Sequence, residues 1–417
     1  MSGDDRPRLG RRYWRLWTAG TVSNFGDGVD AAALPLLAAT LTRDPRLVAG
    51  LAVAFSLPWL LFALPAGALV DRLDRRRVMW HANAVRALLV ALIAVLAATG
   101  IGGIAALYAV ALALGVCETL FDNAAQAMLP AIVPASLLAT ANGRQYAAEV
   151  VANQFAGPPL GGVLFAASVS LPFWLDSATF AVSAVLIATL RGSFRPATSA
   201  SPSPARRSLR AEIAEGLRWL RGHRLLRTLA LLLGVSNLAT SMGFATFVLL
   251  AQDELGVSAR GFGVLLAGMA VGSVVGGLVG GRFAARLGPA RSLVAAAGIM
   301  GVLHVAVGLA GSALFVAVLL AIVGVFTMVW NIVTVSLRQQ IVPDHLLGRV
   351  NSAYRFLGWG SIPLGALLGG LVANTFGLRV PWVAGGLVAL AGLVVCLPVL
   401  TQRTIDAARA AVPARAG

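Results

Sequence analysis

The sequence becomes strongly charged at Gly67-Ala68-Leu69-Val70-Asp71-Arg72-Leu73-Asp74-Arg75-Arg76-Arg77, between apolar runs at residues 48–64 and 78–98. Each run is long enough to cross about 30 Å of hydrocarbon, because a helix rises about 1.5 Å per residue. Charged side chains are costly inside a bilayer, so the cluster is expected in water. The stretch therefore predicts a hairpin of two transmembrane helices.

The composition extends this prediction to the whole chain. Of the 417 residues, 58% are hydrophobic and only 12% are charged, which leaves too little polar surface for a soluble globule. The net charge of +16 comes from arginine, and only four of the 33 arginines lie on one side of the predicted membrane: Arg43, Arg46, Arg260 and Arg379. Because arginine accumulates on the cytoplasmic side, both termini are predicted to be cytoplasmic. The positive charge thus reflects topology and not nucleic-acid binding.

Twelve apolar segments have membrane-spanning length, with an error of several residues at each end. They cover residues 14–41, 47–69, 78–99, 104–127, 143–168, 171–190, 225–251, 261–284, 291–310, 312–337, 350–376 and 380–401. The predicted fold class is an all-α polytopic membrane protein with twelve transmembrane helices in two six-helix bundles.

A polar region separates the two predicted bundles. The first bundle is assigned to residues 1–190, a cytoplasmic linker to 191–224, and the second bundle with a cytoplasmic tail to 225–417. The linker begins rich in proline and serine. After Ser208, a candidate N-cap, apolar residues follow at helical spacing: Leu209, Ile213, Leu217 and Leu220. This pattern predicts an amphipathic helix on the inner membrane surface, the alternative being a solvated charged linker.

The two halves repeat each other, as expected for many transporters. Val22-Ser23-Asn24 recurs as Val235-Ser236-Asn237, and Ile132-Val133-Pro134 recurs as Ile341-Val342-Pro343. The second copy of the charged loop has Ala285 opposite Asp71. The halves are therefore predicted to share a fold but not every function.

The charged loop resembles the signature between helices 2 and 3 of the major facilitator superfamily, G-x-L-x-D-R-x-G-R-[RK]. The matching residues are Gly67, Leu69, Asp71, Arg72, Arg75 and Arg76, and Asp74 stands where the signature has glycine. The resemblance implies a cluster of Asp71, Arg75 and Asp122 that latches the outward-facing state shut. The predicted conformational latch consists of Gly67, Asp71, Arg72, Arg75, Arg76 and Asp122. The alternative is an ordinary cytoplasmic loop made basic by topology.

A second motif, Gly157-Pro158-Pro159-Leu160-Gly161-Gly162, resembles the G-P-x-x-G-G core that accompanies proton-coupled exporters in this superfamily. Adjacent prolines remove two amide donors and bend a helix, and glycines allow a neighbouring helix to approach. The resemblance implies an antiporter-type kink at Gly157, Pro158, Pro159, Gly161 and Gly162. A generic kinked helix is the alternative.

Two acids lie near the middle of the first span. Asp27 and Asp30 share a helix face, about 20 Å from the span's start at Trp14. An ionised carboxylate there costs at least ~2.5 kcal/mol, so the pair must face water, a partner or a proton. The surrounding sequence resembles the first helix of the drug–proton antiporter branch that contains macrolide efflux pumps and the enterobactin exporter. Structural acids bonded to neighbouring helices remain the alternative.

A second group of ionisable residues lies nearer the cytoplasmic side. Arg86, Glu118 and Glu149 are at similar depth, so Glu118 either contacts a cationic substrate or proton or forms a salt bridge with Arg86. Many superfamily antiporters have an arginine in helix 4 that is missing here, so the resemblance does not carry their usual proton relay over to this sequence. Asp176 is expected at the membrane interface, and His304 is expected to be a helix-packing imidazole.

These features predict a secondary active exporter of a hydrophobic or amphipathic small molecule, such as a drug, a macrolide-like or a siderophore-like compound. It would work by proton antiport with alternating access in the cell membrane, as a monomer. An importer or facilitator and a non-transporting sensor or scaffold are the alternatives. No nucleotide loop, metal cluster or catalytic triad is evident, so no enzyme activity, metal or cofactor is expected and the proton gradient supplies the energy. The expected partners are the lipid bilayer, protons and the small-molecule substrate, with no nucleic acid.

Overall fold

The structure is a computed structural model that describes residues 9–70, 72–192, 194 and 209–410. Within these ranges all regular secondary structure is helical. The α-helices are α1 (Arg11–Leu41), α2 (Pro45–Val70), α3 (Arg75–Thr99), α4 (Ile104–Ile132), α5 (Leu138–Glu149), α6 (Gly157–Ala167), α7 (Leu171–Ala188), α8 (Leu209–Gly222), α9 (Arg224–Phe244), α10 (Phe247–Leu249), α11 (Ala259–Leu287), α12 (Pro289–Leu309), α13 (Ala313–Ile341), α14 (Asp344–Trp359), α15 (Ile362–Phe376), α16 (Val380–Cys396) and α17 (Gln402–Ala410).

Most of these helices are suited to a bilayer. In the described part of the chain, ten helical segments are long and apolar enough to cross a membrane. Two further helices complete the set: α1 has 31 residues but carries several charges, and α16 is apolar but has only 17 residues. The predicted all-α, twelve-span membrane fold is therefore confirmed.

Three of the predicted spans are interrupted. Between α5 and α6 lies a π-helical segment, Val150–Ala156, and a second one, Leu250–Glu254, follows α10. The third break separates Trp359 from Ile362, between α14 and α15. Both α6 and α15 have proline in their first turn, where its missing amide and fixed φ are tolerated. The helices before two of these breaks, α5 and α14, contain more polar residues than α6 and α15, which follow them.

The described residues form two compact units. Unit 1 lies within Met1–Thr42, Ala54–Ser203 and Ser258–Ala267, and unit 2 within Arg43–Val53, Pro204–Val257 and Gly268–Gly417. In unit 1 the most extensive packing joins α7 to α1 and α3, and joins α3 to α4. In unit 2, α12 packs on α13 and α16, and α9 packs on α15 and α16. Small residues at these helix contacts permit the close approach that stabilises helices in lipid.

The start of α3 explains the departure from the loop signature. Asp74 is buried and caps the helix, since its carboxylate accepts a hydrogen bond from the Arg77 amide at 3.2 Å. Its second oxygen accepts one from the Phe194 amide at 3.3 Å. Glycine has no side chain to make either bond. Asp74 therefore fixes the first turn of α3 and ties it to the chain beyond α7.

Candidate functional site

Unit 1 contains a polar cavity of about 260 Å³. Its walls come from α1, α3, α4, α5 and the π-helical segment before α6. Its ionisable lining residues are Asp27, Arg86, Glu118, Asp122 and Glu149. Uncharged polar residues complete the wall: Thr21, Asn24, Gln126, Asn142, Gln145 and Asn153. The structure thus gathers into one cavity acids that the sequence placed in two separate groups.

An ion pair between Arg86 and Asp27 lies in this cavity. The Arg86 side chain is only 3% exposed, and its Nη2 donates a hydrogen bond to Asp27 Oδ1. The guanidinium also lies over the Phe180 ring of α7, 4.0 Å from the ring centroid. A buried cation is tolerated only when it is paired and hydrogen-bonded. The counter-charge that contacts Arg86 is therefore Asp27, whereas a salt bridge between Arg86 and Glu118 was one of the two alternatives that the sequence left open.

The remaining cavity acids differ in their contacts. Glu118 has a buried Oε2 without a hydrogen-bond donor among the described residues, and Glu149 is partly exposed to the cavity. Asp122 lines the wall one helical turn from Glu118. Several carboxylates around one cavity give it a negative surface that suits a cation or a proton.

Asp30 takes a different partner from Asp27. Its carboxyl group lies close to that of Asp176 on α7, whose Oδ1 also reaches α1 at Gly26. Asp176 also accepts a hydrogen bond from Thr179 Oγ1 at 3.0 Å, and its side chain is completely buried. The expectation that Asp176 is an interfacial acid is therefore wrong, because this face of α7 packs on α1. A sequence signal did exist: Asp176, Thr179 and Ser183 form a polar stripe at helical spacing in an apolar span.

The loop arginines bind carbonyl groups at the ends of neighbouring helices. Arg75 donates to the Ala127 carbonyl of α4 at 2.9 Å, and Arg76 donates to the Leu190 carbonyl at 2.6 Å. Arg72 is exposed in the turn before α3, and Gly67 lies in α2. Asp71 lies outside the described residues. The ionic latch among Asp71, Arg75 and Asp122 therefore stays a prediction.

The glycine–proline motif forms a close contact with α1. A side chain at Gly157 would collide with the backbone of Gly28, and one at Gly161 would collide with Val29. Gly28 in turn faces the π-helical segment at Asn153. On its other side, Gly162 lies against the Ala259 backbone at the start of α11. The motif thus lets α1 approach α6 closely at Gly28 and Val29, between Asp27 and Asp30. This contact fixes the positions of both acids relative to α6.

Unit 2 has a cavity of its own, of about 330 Å³. Six uncharged polar residues line it: Ser236, Asn237, Thr240, Thr327, Asn331 and Thr334. Its charged lining residues are Arg338 and Arg355. Its large lining side chains are Met269, Met300, Trp330, Tyr354 and Trp359. None of the lining residues is a carboxylate. The surface is therefore aromatic and cationic, whereas that of the unit 1 cavity is acidic.

His304 lies beside this second cavity. Its Nδ1 is 2.7 Å from the Met300 carbonyl and its Nε2 is 3.2 Å from Thr240 Oγ1. The ring also packs at a tilt on Trp382 and is 2% exposed. Both ring nitrogens have partners, so the prediction of a helix-packing imidazole is confirmed.

Comparisons with known proteins agree with this architecture. The family described as "transmembrane secretion effector" matches residues 9–414. The multidrug efflux pump Tap of Mycolicibacterium fortuitum is 28% identical over 404 residues, covering 94% of this chain and 96% of the pump. Tap of Mycobacterium tuberculosis H37Rv is 29% identical over 397 residues, covering 90% and 91%. YfiS of Bacillus subtilis, an uncharacterized MFS-type transporter, is 26% identical and covers 91% of both chains.

Solved structures show the same fold at low sequence identity. A bacterial homologue of the iron transporter ferroportin, in an inward-facing state, has a TM-score of 0.74 at 16% identity and covers 95% of this chain and 100% of its own. The nucleoside transporter NupG has a TM-score of 0.71 at 12% identity and covers 94% and 100%. The chain therefore belongs to the transmembrane secretion effector family of the major facilitator superfamily, whose members are transporters rather than enzymes.

Proposed function

We propose that this protein exports hydrophobic or amphipathic small molecules, drugs among them, by antiport against protons with alternating access. The observation that carries the proposal is the unit 1 cavity, in which four carboxylates surround one buried arginine. The alignment with multidrug efflux pumps over at least 90% of the chain supports export of drugs. No cofactor is required, because the proton gradient supplies the energy.

The Asp27–Arg86 ion pair links proton binding to substrate binding. A carboxylate attracts a cationic group and a proton alike, so the two ligands compete for the negative charge of the cavity. By reciprocal linkage, substrate entry favours proton loss and proton binding favours substrate release. Glu118 and Glu149 provide further negative charge for a cationic amphipath. This competition is the property that an antiporter needs.

The charged loop would control the change of state. Arg72, Arg75 and Arg76, with Asp71 and Asp122, form the proposed latch, and an ionic cluster at a partly exposed site contributes a few kcal/mol at most. That is enough to shift a two-state population. We place the arginine-rich helix ends and both termini in the cytoplasm, with the protein acting as a monomer in the cell membrane.

The decisive experiment is uptake into inverted membrane vesicles. A panel of drugs and siderophores is offered with and without a pH gradient, and accumulation is expected only with the gradient. Asp27→Asn should abolish this accumulation. The matched control is Asp406→Asn, which removes an exposed acid from α17 outside the membrane spans. Gradient-independent equilibration would identify a facilitator, and uptake only in right-side-out vesicles would identify an importer.

Membrane orientation has its own test. In a chain whose Cys117 and Cys396 are replaced by serine, single cysteines are placed at Gly222, Ser258 and Gly311. In intact cells an impermeant thiol reagent should label positions 258 and 311 but not position 222. Labelling at 222 would reverse the proposed topology.

A further inference from the structure

Asp27 and Asp30 lie three residues apart on α1 but belong to different pairs. Asp27 lines the unit 1 cavity and binds Arg86. Asp30 is not part of the cavity wall; it is 6% exposed and contacts the fully buried Asp176. The cavity therefore presents one carboxyl group of α1, and the packing of α1 on α7 conceals the other.

The contact between Asp30 and Asp176 is built into the backbone. Gly26 lies one turn before Asp30, and a side chain at that position would occupy the space of Asp176 Oδ1 and Thr179 Oγ1. The absence of a side chain thus lets the Asp176 carboxyl group reach α1. Thr179 donates to one Asp176 oxygen, whereas Asp176 Oδ2 and Asp30 Oδ1 are buried and have no donor among the described residues.

The charges around this pair leave it without a cation of its own. Asp27 on α1 and Arg86 on α3 interact with it electrostatically, whereas Glu118 and Asp122 of α4 interact with Arg86, and Glu149 of α5 interacts with Asp27. Arg86 is the one cation in that set, and it already binds Asp27. Two bare carboxylates in contact in a buried site repel each other and offer no hydrogen to share. A single proton removes the repulsion and supplies the donor.

We infer that Asp30 and Asp176 hold one proton between them, and that this shared proton is the coupling proton of the transporter. The inference rests on the antiport proposed above. Loading forms one O–H bond with a proton taken from water, and release returns that proton to water on the other side; no other bond changes. Asp27 in the cavity then serves as the carboxylate for which a cationic substrate competes with Arg86.

Arg86 provides the connection between the two pairs. Its guanidinium lies over Phe180, one helical turn from Asp176 on α7. A cationic substrate that neutralises Asp27 weakens the hold of Asp27 on Arg86. The guanidinium can then stabilise the Asp30–Asp176 pair without its proton. Substrate binding in the cavity therefore promotes proton release from a buried site that the substrate does not touch.

The first test detects the proton directly, without transport. Infrared difference spectra of the purified protein in H₂O and D₂O report the carbonyl stretch of a protonated carboxyl group. The wild type should show this band at neutral pH. Asp30→Asn and Asp176→Asn should each lose it, because the amide supplies the missing donor and the remaining carboxyl group ionises. The control Asp406→Asn should keep it, whereas Asp27→Asn should weaken it, because the freed Arg86 guanidinium then stabilises the pair without its proton.

The second test measures coupling, with the fluorescent aromatic cation ethidium as the probe. Asp176→Asn should reduce gradient-driven ethidium accumulation at least tenfold and leave ethidium exchange in the absence of a gradient within twofold of wild type. The wild type should release a proton on binding ethidium, and the variant should not. Gel-filtration elution identifies misfolded protein, and Asp176→Ser serves as a second variant of smaller volume.

The outcomes separate the two proposals. An infrared band that is absent in the wild type, or unchanged in both Asp30→Asn and Asp176→Asn, overturns the shared proton whatever is transported. Full gradient-driven transport by Asp176→Asn overturns its role in coupling. If the wild type transports nothing in the panel but shows the predicted band pattern, the proposed export fails and the proton pair stands.

Discussion

The cavities of units 1 and 2 are lined by matching positions of the internal repeat. At the offset of 213 residues that relates Asn24 to Asn237, Asp27 corresponds to Thr240. At the offset of 209 that relates Pro134 to Pro343, further lining residues correspond: Glu118 to Thr327, Phe121 to Trp330, Asp122 to Asn331 and Ala125 to Thr334. Three acids of the first cavity thus correspond in the repeat to uncharged polar residues of the second cavity. The two halves therefore have a cavity at corresponding positions, but the two cavities differ in charge.

The two cavities also stabilise their arginines differently. In unit 1 the buried Arg86 lies over the Phe180 ring and is also paired with a carboxylate. In unit 2, Arg338 lies over the Tyr354 ring at 4.0 Å and Arg355 lies over the Trp359 ring at 4.9 Å. A cation over an aromatic face gains about 0.5–2 kcal/mol and accepts no proton. If the proposed antiport is correct, its proton chemistry belongs to the acidic cavity of unit 1, whereas unit 2 offers an aromatic, apolar surface.

The largest effect is expected when Asp27 is replaced by threonine, the residue at the corresponding position 240 of the second half. Asp27→Thr leaves Arg86 buried without its carboxylate, and breaking one side of a buried pair costs about 3–5 kcal/mol. Gradient-driven transport should fall at least tenfold, and the midpoint of thermal unfolding should drop. Both quantities are measured on the same purified and reconstituted preparation.

Two further variants refine this result. Asp27→Thr with Arg86→Met should recover the lost thermal stability, because no unpaired charge remains, but it should not recover transport. The reciprocal change Thr240→Asp should not restore transport to Asp27→Thr. Normal stability and normal transport in Asp27→Thr would show that the acid has no special role in unit 1.

The second prediction concerns a feature that both units share. Gly161 of α6 meets the Val29 backbone of α1, and Gly369 of α15 meets the Met242 backbone of α9. Gly161→Ala and Gly369→Ala should each lower the free energy of unfolding by about 1–3 kcal/mol, because the methyl group meets a carbonyl that cannot yield easily. Thermal unfolding of the purified variants measures this.

Gly281→Ala is the matched control, since a methyl group at Gly281 meets nothing within 4 Å. In a helix it should be neutral or stabilising by up to about 1 kcal/mol. If the unit 1 variant were severely destabilised and the unit 2 variant were not, the close helix contact would not be a common property of the repeat.

A smaller effect is expected from exchanging charge between matching positions of the cavities. Asn331→Asp should tighten ethidium binding by no more than about tenfold, which corresponds to about 1.4 kcal/mol. The gain is limited because Arg338 and Arg355 line the same cavity and attract the new carboxylate. Asp122→Asn should weaken binding by a similar factor. Fluorescence anisotropy of ethidium gives both dissociation constants. An unchanged affinity in both variants would show that the charge of the cavities does not determine how tightly ethidium binds.

The smallest effect belongs to the helix caps that follow the first span of each half. Asp44 precedes α2, accepts a hydrogen bond from the Arg46 amide at 2.9 Å and pairs with the Arg46 guanidinium at 2.7 Å. The hydrogen bond from that guanidinium lowers the pKa of Asp44 to about 2. At the corresponding place before α11, the hydroxyl of Ser258 accepts from the Gly261 amide at 3.3 Å. One cap is ionised and the other is neutral.

Asp44→Ser should therefore give a stability difference that depends on pH. The folded-state pKa lies below that of an unfolded aspartate, about 3.9, so the contribution is complete above that value and is lost as pH falls toward 2. For an exposed pair it is at most about 1 kcal/mol. Thermal unfolding of the wild type and Asp44→Ser is compared at pH 6 and pH 3, with Ser258→Ala as the control whose effect should not change with pH. A constant difference for Asp44→Ser would contradict the ionic cap.

The class of the fold and the number of spans follow from the sequence alone. A bilayer requires about twenty apolar residues per crossing and excludes unpaired charge. The long apolar runs and the charged loop around Arg72 can therefore be recognised in the amino-acid sequence. The repeat was visible for the same reason, because both copies keep the same short motifs at constant offsets. The acids Asp27, Glu118 and Glu149 could also be selected, since a carboxylate within an apolar run is costly wherever it lies.

Which of these residues meet depends on how the helices pack. Depth along a helix follows from the rise per residue, but the neighbour of a side chain depends on how the helix is rotated against the helices around it. Asp27 and Asp30 are adjacent on one face, yet a small rotation around α1 separates the cavity with Arg86 from the contact with α7 and Asp176. Asp176 looked interfacial by its position in the span and is completely buried, because the partner that receives it is 146 residues away in the chain. Pairing between distant helices is a property of packing, and no local pattern of residues records it.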